Sequence, residues 1–532
     1  MKKIHLIFAL LLALALSAGC AADPAESPTP TGSTEIRFTD GKVTAAATDG
    51  ITIDGTTLTV TGAGTYLLSG SCADGRVKVE KGVRGVTLVL NGLTLTCENS
   101  APILCGKGSE VTIEAAAGTE NTLSDTAANN DETGSADAEN AVIKCKDGSR
   151  VVLCGSGALT LRANGKNGIK SGSTTQDGEA SLTIRGLTLT IDAPVNDAIN
   201  AEAALTAESG TLTLSAGDDA LHCDYTLNIG AAGTDGPRIT VTSCYEGLEG
   251  AAVNICSGSI DIHSADDCIN AANADLTGFS YQLNISGGTV TARSDSGDGF
   301  DSNGDLTISG GNVTVWTANT ADNEPLDADG TVTVSGGTFH MYGGTIEKCG
   351  IKGGSVCYGG GVAVVYGGQF IMDSGTIKDC YVESNYLHHQ YPNTCFTAMG
   401  GGVFVSGGSY FRMNGGSISN NRATNMGGGV AVAISLDEIY ASGSYGMLKS
   451  SAEILGGKVE ENQAKKGAGL FASGYYYVDA PAICADTPAV GATENPGLHI
   501  KDTQILNNTA TDTDSHTTSG MADIRSEPEQ QS

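Results

Sequence analysis

The sequence predicts an all-β protein built as a parallel β-helix, a solenoid whose coils stack on one another. Short runs of alternating Thr, Ile, Val and Leu, bounded by Gly, Asn or Asp, recur from residue 50 onward, as at Leu58-Thr-Val and Leu187-Thr-Leu-Thr-Ile. Such runs are typical of short strands between turns. No segment beyond the N-terminal apolar run has a convincing helical period. Because the runs repeat every 20 to 50 residues, roughly, they favour a solenoid over a sandwich or a barrel.

The N-terminus has the features of an exported lipoprotein. Two lysines precede the apolar run Ile4–Leu16, and small residues then lead to Cys20. We expect residues 1–19 to be a lipoprotein signal peptide. Two acyl chains on Cys20 would then hold the protein on the extracellular face of the cell envelope. The alternative is an ordinary signal peptide cleaved near Ala18.

A turn phrase with one buried apolar residue recurs seven times. The phrases begin at Asn167, Asp197, Asp219, Glu246, Asp267, Asp298 and Glu324, with spacings of 30, 22, 27, 21, 31 and 26 residues. Each spacing fits one coil of a three-sided β-helix. Stacking would align these first positions in one outward column, called the first column here. The residues three positions later form the second column: Lys170, Asn200, His222, Glu249, Asn270, Asp301 and Asp327.

The repeat changes near residue 336, where Gly-Gly-Thr-Phe-His-Met begins a second type rich in Gly-Gly-Gly-Val. We therefore expect one continuous β-helix with a first part over 37–335 and a Gly-rich part over 336–510. Residues 20–36 are expected to be a flexible tether and 511–532 a disordered tail. Residues 118–139 interrupt the pattern and are expected to form an exposed loop.

The charge of the chain limits the classes of partner that it can bind. The net charge of −31 argues against a nucleic-acid partner. Between residues 171 and 347 there are 25 Asp plus Glu against three Arg and no Lys. Stacked carboxylates repel one another unless a cation lies between them, and Ca²⁺ prefers carboxylate and amide oxygens. The alternative is that Asp and Asn simply favour turns and stay solvated.

The candidate calcium ligands come from these turn phrases and their neighbours. They are Asp218, Asp219, Asp266, Asp267, Asn270, Asp298 and Asp301, followed by Glu246 and Glu249.

The fifteen cysteines form no metal-binding spacing. Those in strand-like or turn-flanking positions are expected to be small buried core residues, although stacked neighbours could pair. The positions concerned are Cys105, Cys145, Cys223, Cys244, Cys256 and Cys268.

Residues 37–335 resemble the clostridial carbohydrate-binding domain-containing proteins, a β-helix family that includes a polygalacturonate-binding surface protein. The resemblance rests on Ile51–Ser71, on Gly118–Leu123 and on the serial Asp-rich phrases. It implies a right-handed parallel β-helix, bound calcium and affinity for acidic pectic polysaccharide. The Gly-rich part more loosely resembles bacterial adhesin-like repeats.

Three functions follow from these observations. The first is a monomeric, non-enzymatic surface protein that binds an acidic polysaccharide through bridging calcium. The second is a calcium-dependent polysaccharide lyase, for which Arg293 is the candidate base. The third is a non-catalytic adhesin or spacer. Tyr475-Tyr476-Tyr477 is a candidate platform for stacking neutral sugars.

Overall fold

The computed structural model describes residues 32–176, 179–276, 278–317, 324–352, 357–384, 398–433, 450–465, 467–472 and 497–511. These residues form 49 strands and no helix, so the protein is all-β as predicted. Within the same residues there is no helix long and apolar enough to cross a membrane. The expected signal peptide, Cys20 and most of the expected tether and tail lie outside the described residues.

The strands are short and follow one another closely along the chain. Strands β1 to β14 are Thr34–Thr39, Lys42–Ala45, Ile51–Asp54, Thr57–Val60, Gly64–Cys72, Arg76–Val79, Val86–Cys97, Ile103–Cys105, Glu110–Ala115, Glu120–Asp125, Ala141–Cys145, Arg150–Gly155, Ala158–Arg162 and Asn167–Ser171. Strands β15 to β29 are Ser181–Ile184, Thr188–Ala193, Ile199–Ala201, Ala204–Ala207, Gly210–Ala216, Leu221–Ile229, Pro237–Ser243, Leu248–Ile255, Ser259–Ser264, Ile269–Ala271, Gln282–Ser294, Phe300–Ser302, Asp305–Thr317, Val332–Ser335 and Thr338–Met341. Strands β30 to β49 are Thr345–Glu347, Gly350–Lys352, Cys357–Tyr358, Val362–Val365, Gln369–Met372, Thr376–Lys378, Tyr381–Glu383, Ala398–Met399, Val403–Val405, Tyr410–Met413, Ser417–Ser419, Arg422–Ala423, Val430–Val432, Ser451–Ile454, Lys458–Glu460, Gln463–Ala464, Leu470–Ala472, Gly497–Ile500, Gln504–Leu506 and Thr509–Ala510.

Strands from successive repeats pair in parallel in three ladders. The first ladder runs β4, β6, β8, β11, β14, β17, β20, β22, β24, β26. The second includes β12, β15 and β18, and the third includes β13, β16, β19, β21, β23, β25, β27 and β29. The chain visits the ladders in a fixed order, because β13, β14 and β15 belong to the third, first and second, as do β16, β17 and β18 in turn.

Apolar residues from all three ladders meet in one continuous core that extends from Ile36 to Ile505. Alternating burial along the strands points every second side chain into it, as in β9 and β16. After residue 336 the core contains a stack of three fully buried rings, Phe339, Phe370 and Phe411, with centroids 5.2 and 5.1 Å apart.

Replacing the central ring of this stack should destabilise the protein. We expect Phe370→Leu to lower the free energy of unfolding by about 1.5 kcal/mol, because the site loses both ring contacts and retains a partial cavity. Chemical denaturation measures the change. The exposed Tyr366→Leu is the control, with an expected change within about 0.5 kcal/mol. Equal losses in both variants would contradict a packed aromatic stack.

A buried asparagine ladder connects the last repeats. Asn421 accepts the backbone N–H of Cys380 at 2.9 Å, Asn462 accepts that of Asn421 at 2.9 Å, and Asn508 accepts that of Asn462 at 2.9 Å. Each amide also donates to a backbone carbonyl, of Ile377, Ile418 and Val459 respectively. An asparagine therefore satisfies both neighbouring repeats without introducing charge.

The expectation of an exposed loop over residues 118–139 is wrong for its first part. Residues Glu120–Asp125 form β10, which pairs in parallel with β7 and β13 and buries Leu123. The Asn-Thr-Leu sequence alternates as a strand does, and the acidic residues beside it obscured this. The remainder, 126–140, connects β10 to β11 and is held by the buried Asn129, which donates to Asp125 at 2.8 Å.

The change of repeat at residue 336 does not interrupt strand pairing. On its two sides, β28 and β29 both pair with β27 before it, and they pair with β33 and β34 after it. The first ladder ends at β26 in its pairing, and three new parallel ladders begin with β30, β31 and β32. At the other end, β1 begins at Thr34, within the segment expected to be tether.

Candidate functional site

The second column lies in register on the first ladder. Lys170 pairs with Asn200, Asn200 with His222, His222 with Glu249, Glu249 with Asn270, and Asn270 with Asp301. All six side chains are half-buried. The neighbouring apolar residue, such as Ile269 or Phe300, is fully buried and so fixes the register of each short strand.

The first column also stacks, but the expectation that all its side chains point outward is wrong. Asn167, Asp197 and Asp219 are buried, while the later members are half-buried. The physical reason is a hydrogen bond to the next repeat. Asp197 accepts the backbone N–H of Asp219 at 3.2 Å, Asp267 that of Asp298 at 2.7 Å, and Asp298 that of Glu324 at 2.6 Å. Because the carboxylate oxygen accepts a backbone N–H of the next repeat, the side chain lies within the turn and not in solvent.

Side chains of the turn phrases and of the adjoining Asp218 converge in three places. Each group offers one ligand atom per residue, and these atoms lie within 4.8 Å of one another. The groups are Asp197 with Asp218 and Asp219; Asp219 with His222 and Glu249; and Asp298 with Glu324 and Asp327.

The middle group has its own cation. His222 lies between Asp219, 2.9 Å from Nδ1, and Asp224, 3.0 Å from Nε2, and Nδ1 also contacts Glu249. Burial alone would lower the pKa of His222, but the bonds to these carboxylates outweigh it and hold the pKa well above its ordinary range. The imidazolium in turn lowers the pKa of Glu249 against burial.

In the following repeats, Asp267, Asp298 and Asp301 form no ion pair with a Lys, Arg or His among the described residues. Burial raises the pKa of Asp267 to about 6 and that of Asp298 to about 9, and neighbouring carboxylates add to both shifts. Burial likewise raises the pKa of Glu246 and of Asp301 to about 7. We call Asp267, Asn270, Asp298, Asp301, Glu324 and Asp327 the acidic cluster. The raised pKa values of Asp267, Asp298 and Asp301 mean that burial and mutual repulsion make the charged forms of these three carboxylates costly.

The acidic cluster fits a hard cation. Its donors are oxygens alone, the type that Ca²⁺ prefers. Asn270 donates through Nδ2 to Glu246 at 3.1 Å, whereas its Oδ1 is buried and accepts no hydrogen bond from the described residues. A buried amide oxygen without a donor is costly unless a cation or water meets it. At Gly297, a Cβ would lie 2.2 Å from Asp266 Oδ1 and 2.6 Å from Asp267 Oδ1, so glycine keeps these carboxylates accessible.

The structure brings together most of the predicted ligands. Asp218, Asp219, Glu249 and Asp298 fall in the converging groups. Asp267 bonds to the backbone of Asp298, and Asn270 pairs with Asp301. Asp266 lies beside Gly297, and Glu246 contacts Asn270, so these two line the edge of the site.

Four converging residues were absent from the predicted ligand set: Asp197, His222, Glu324 and Asp327. All four occupy the same two positions of the turn phrase as the predicted residues. Treating every phrase alike would have included them.

The remaining candidates lie elsewhere. Arg293 is in the third ladder, paired with His263 and Trp316, and not in either column. Tyr475-Tyr476-Tyr477 lies outside the described residues. The cysteines expected in the core are buried, except Cys256, which is half-buried.

A family model and a curated relative that match this chain have the same description. A family model described as "Carbohydrate-binding domain-containing protein" matches residues 54–375. A protein of the same description from Acetivibrio thermocellus is 31% identical over 189 residues, which are 35% of this chain. The match spans 65% of the length of that relative. A solved structure, of a polysaccharide lyase-like protein from C. thermocellum in a gadolinium derivative, covers 57% of this chain and 99% of its own at 24% identity and a TM-score of 0.34.

Proposed function

The chain belongs to the family of carbohydrate-binding domain-containing proteins, and from this premise we propose that it binds an acidic, pectate-like polysaccharide through bridging calcium. In this proposal it is a monomeric lipoprotein, anchored through Cys20 on the outer face of the cell envelope, and not an enzyme. Its ladders wind as a right-handed parallel β-helix that presents the columns along one side.

The observation that carries the proposal is the acidic cluster. Asp298, Glu324 and Asp327 converge within 4.8 Å. Asn270, which pairs with Asp301, has a buried amide oxygen with no donor among the described residues. A polyuronate is itself an anion, and like charges across an interface oppose binding. Bound calcium would supply the positive charge that both sides need. The family membership supports a carbohydrate as the ligand, and the charge pattern supports an acidic one.

The contrast with the asparagine ladder supports a role for the charge. Asn421 and Asn462 link repeats as neutral amides, and the first member of the first column, Asn167, does so as well, accepting the N–H of Asp197 at 3.3 Å. A neutral asparagine is therefore sufficient to form the side-chain hydrogen bonds that link neighbouring repeats. Carboxylates at Asp267 and Asp298 add desolvation and repulsion without a structural gain, which a bound cation would offset.

The direct test is calorimetric titration of the soluble chain beginning at residue 21 with polygalacturonate, in calcium and in excess chelator. We expect binding in calcium and a much weaker signal in chelator, with no unsaturated uronide released. Release of unsaturated product would establish the lyase alternative instead. Absence of binding under both conditions would leave a non-catalytic adhesin or spacer.

One substitution links the acidic cluster to this binding. We expect Asp301→Asn to weaken calcium binding about tenfold, because it removes a unit charge and one of the six to eight oxygens that calcium takes, roughly. Asp301 is chosen because, among the described residues, no backbone N–H of the next repeat donates to its carboxylate, whereas that of Glu324 donates to Asp298. The matched control is Asp192→Asn, an exposed aspartate on the third ladder. Unchanged calcium affinity in Asp301→Asn would remove this cluster from the site.

A further inference from the structure

A row of aromatic and basic side chains crosses the outward face of the third ladder. His263 pairs with Arg293, and Arg293 with Trp316, in three successive repeats. Tyr342 follows Met341, which pairs with Val315, so it continues the row beside Trp316. We call His263, Arg293, Trp316 and Tyr342 the aromatic–arginine strip.

The strip is accessible and ordered by its own contacts. Trp316 is 37% exposed and Tyr342 42% exposed, so both rings can be reached from solvent. The Arg293 guanidinium lies 4.5 Å from the centroid of the Trp316 ring, within the range of a cation–π contact. Tyr342 stacks on His340 with centroids 4.1 Å apart. The side chains are thus held in place before any ligand arrives.

The charge of the strip is opposite to that of the columns. The Arg293 side chain forms no ion pair or hydrogen bond with another described residue, so its N–H donors are available. His263 contacts Asp295 at 3.1 Å through Nε2 and is half exposed. In a chain of net charge −31, an unpaired guanidinium held on an indole ring is a specific feature, and its planar fork matches a carboxylate.

The surface beside the strip suits a sugar chain. The outward residues next to the strip, in the same strands, carry mainly hydroxyl and amide groups, and one of them is a carboxylate. They are Ser259, Asp261, Thr289, Thr291, Asn312, Thr314, Thr338 and His340. The polar groups of this face can exchange hydrogen bonds with sugar hydroxyls. An aromatic ring can cover the apolar face of an amphipathic ligand such as a sugar, and polar side chains around the ring can bind its hydroxyl groups.

We propose that the aromatic–arginine strip is a calcium-independent subsite for a uronic acid unit, in which Arg293 binds the carboxylate and Trp316 and Tyr342 contact the sugar ring. The inference rests on the proposed function, since it takes the same class of polysaccharide as the ligand. It adds a second contact of opposite charge. Four residues separate Arg293 from Asp298, so the strip and the acidic cluster flank one corner, where one glycan chain can reach both.

The protein contains its own probe for this subsite, because Trp316 is its single tryptophan. The soluble chain beginning at residue 21 is titrated with polygalacturonate in excess chelator while tryptophan emission is recorded. We expect a saturable change. We expect Arg293→Gln to weaken the apparent affinity about tenfold, by loss of a charge-assisted bidentate contact, and Arg293→Lys to weaken it less. Tyr342→Ala keeps the probe and is expected to weaken affinity as well. Arg37→Gln, at an exposed arginine of β1, is the control and should leave the affinity unchanged.

The outcomes separate this inference from the proposed function. No saturable emission change in chelator, together with calcium-dependent heat in calorimetry, overturns the strip and leaves calcium-bridged binding intact. Neither emission change nor heat under any condition overturns both. An equal emission change with neutral dextran overturns the assignment to a uronic acid. Equal affinities for Arg293→Gln and the parent chain, with unchanged melting temperatures, overturn the role of the guanidinium.

Discussion

In the presence of a chelator, the melting temperature is expected to fall as the pH rises from about 5 to about 9, and calcium is expected to restore it. The acidic cluster is the cause. Burial raises the pKa of Asp267 to about 6, of Asp301 to about 7 and of Asp298 to about 9. In the unfolded chain these groups titrate near 4, roughly. Between these values the folded state holds more protons than the unfolded state, so raising the pH favours unfolding.

Calcium should reverse this slope because it replaces protons between the carboxylates. Its stabilisation grows with concentration and reaches about 2.7 kcal/mol at one hundred times the dissociation constant. At pH 5 protons compete for the same oxygens, so the calcium effect should be small there and large at pH 8. Thermal melts across this range, with chelator or with excess calcium, measure both effects.

The variant that tests this prediction is Asp301→Asn, whose melting temperature in chelator should depend less on pH, since one titrating group is gone. Asp192→Asn should retain the slope of the parent chain. A melting temperature that rises with pH in chelator would contradict an uncompensated acidic cluster. A calcium effect of equal size at pH 5 and pH 8 would contradict carboxylate ligands.

The register of the second column could be predicted from the sequence, whereas the burial of the first column could not. Each turn phrase places an apolar residue directly before the second-column position, and burial of Ile199, Leu221 and Ile269 imposes the register. The first column lacks such a local rule. Whether Asp197 faces solvent or the turn depends on its bond to the N–H of Asp219, which comes from the next repeat 22 residues later. Side-chain bonds between repeats leave no periodic signal in one phrase.

The role of His222 was equally hidden. Its position in the second column was evident, but its partners come from one turn and two strands: Asp219 before β20, Asp224 within β20 and Glu249 in β22. A histidine with one acidic neighbour is ordinary, whereas one among three is a fixed cation. Only the stacked structure distinguishes the two cases, and this distinction separates the middle group from the acidic cluster.

Removing the His222 cation should lower the free energy of unfolding more than any other single substitution in the two columns. We expect His222→Gln to lower the free energy of unfolding at pH 7 by about 3 kcal/mol, because Asp224 and Glu249 lose a common counter-charge in a half-buried site. Asp219, whose pKa burial raises to about 8, loses a hydrogen-bond partner as well. The raised pKa of His222 makes its contribution complete below the unfolded value near 6.5, roughly, and lost as the pH rises through the folded value, so most of it is present at pH 7. Denaturant unfolding measures the loss. The control is His263→Gln, which removes an exposed histidine whose ion-pair partner among the described residues is Asp295, and it should cost less than about 1 kcal/mol.

If the columns require a cation, calcium should stabilise His222→Gln more than the parent chain, since the ion can then occupy the group that the imidazolium held. An equal calcium response in both chains, or a loss no greater than that of His263→Gln, would show that these carboxylates tolerate one another without a counter-charge.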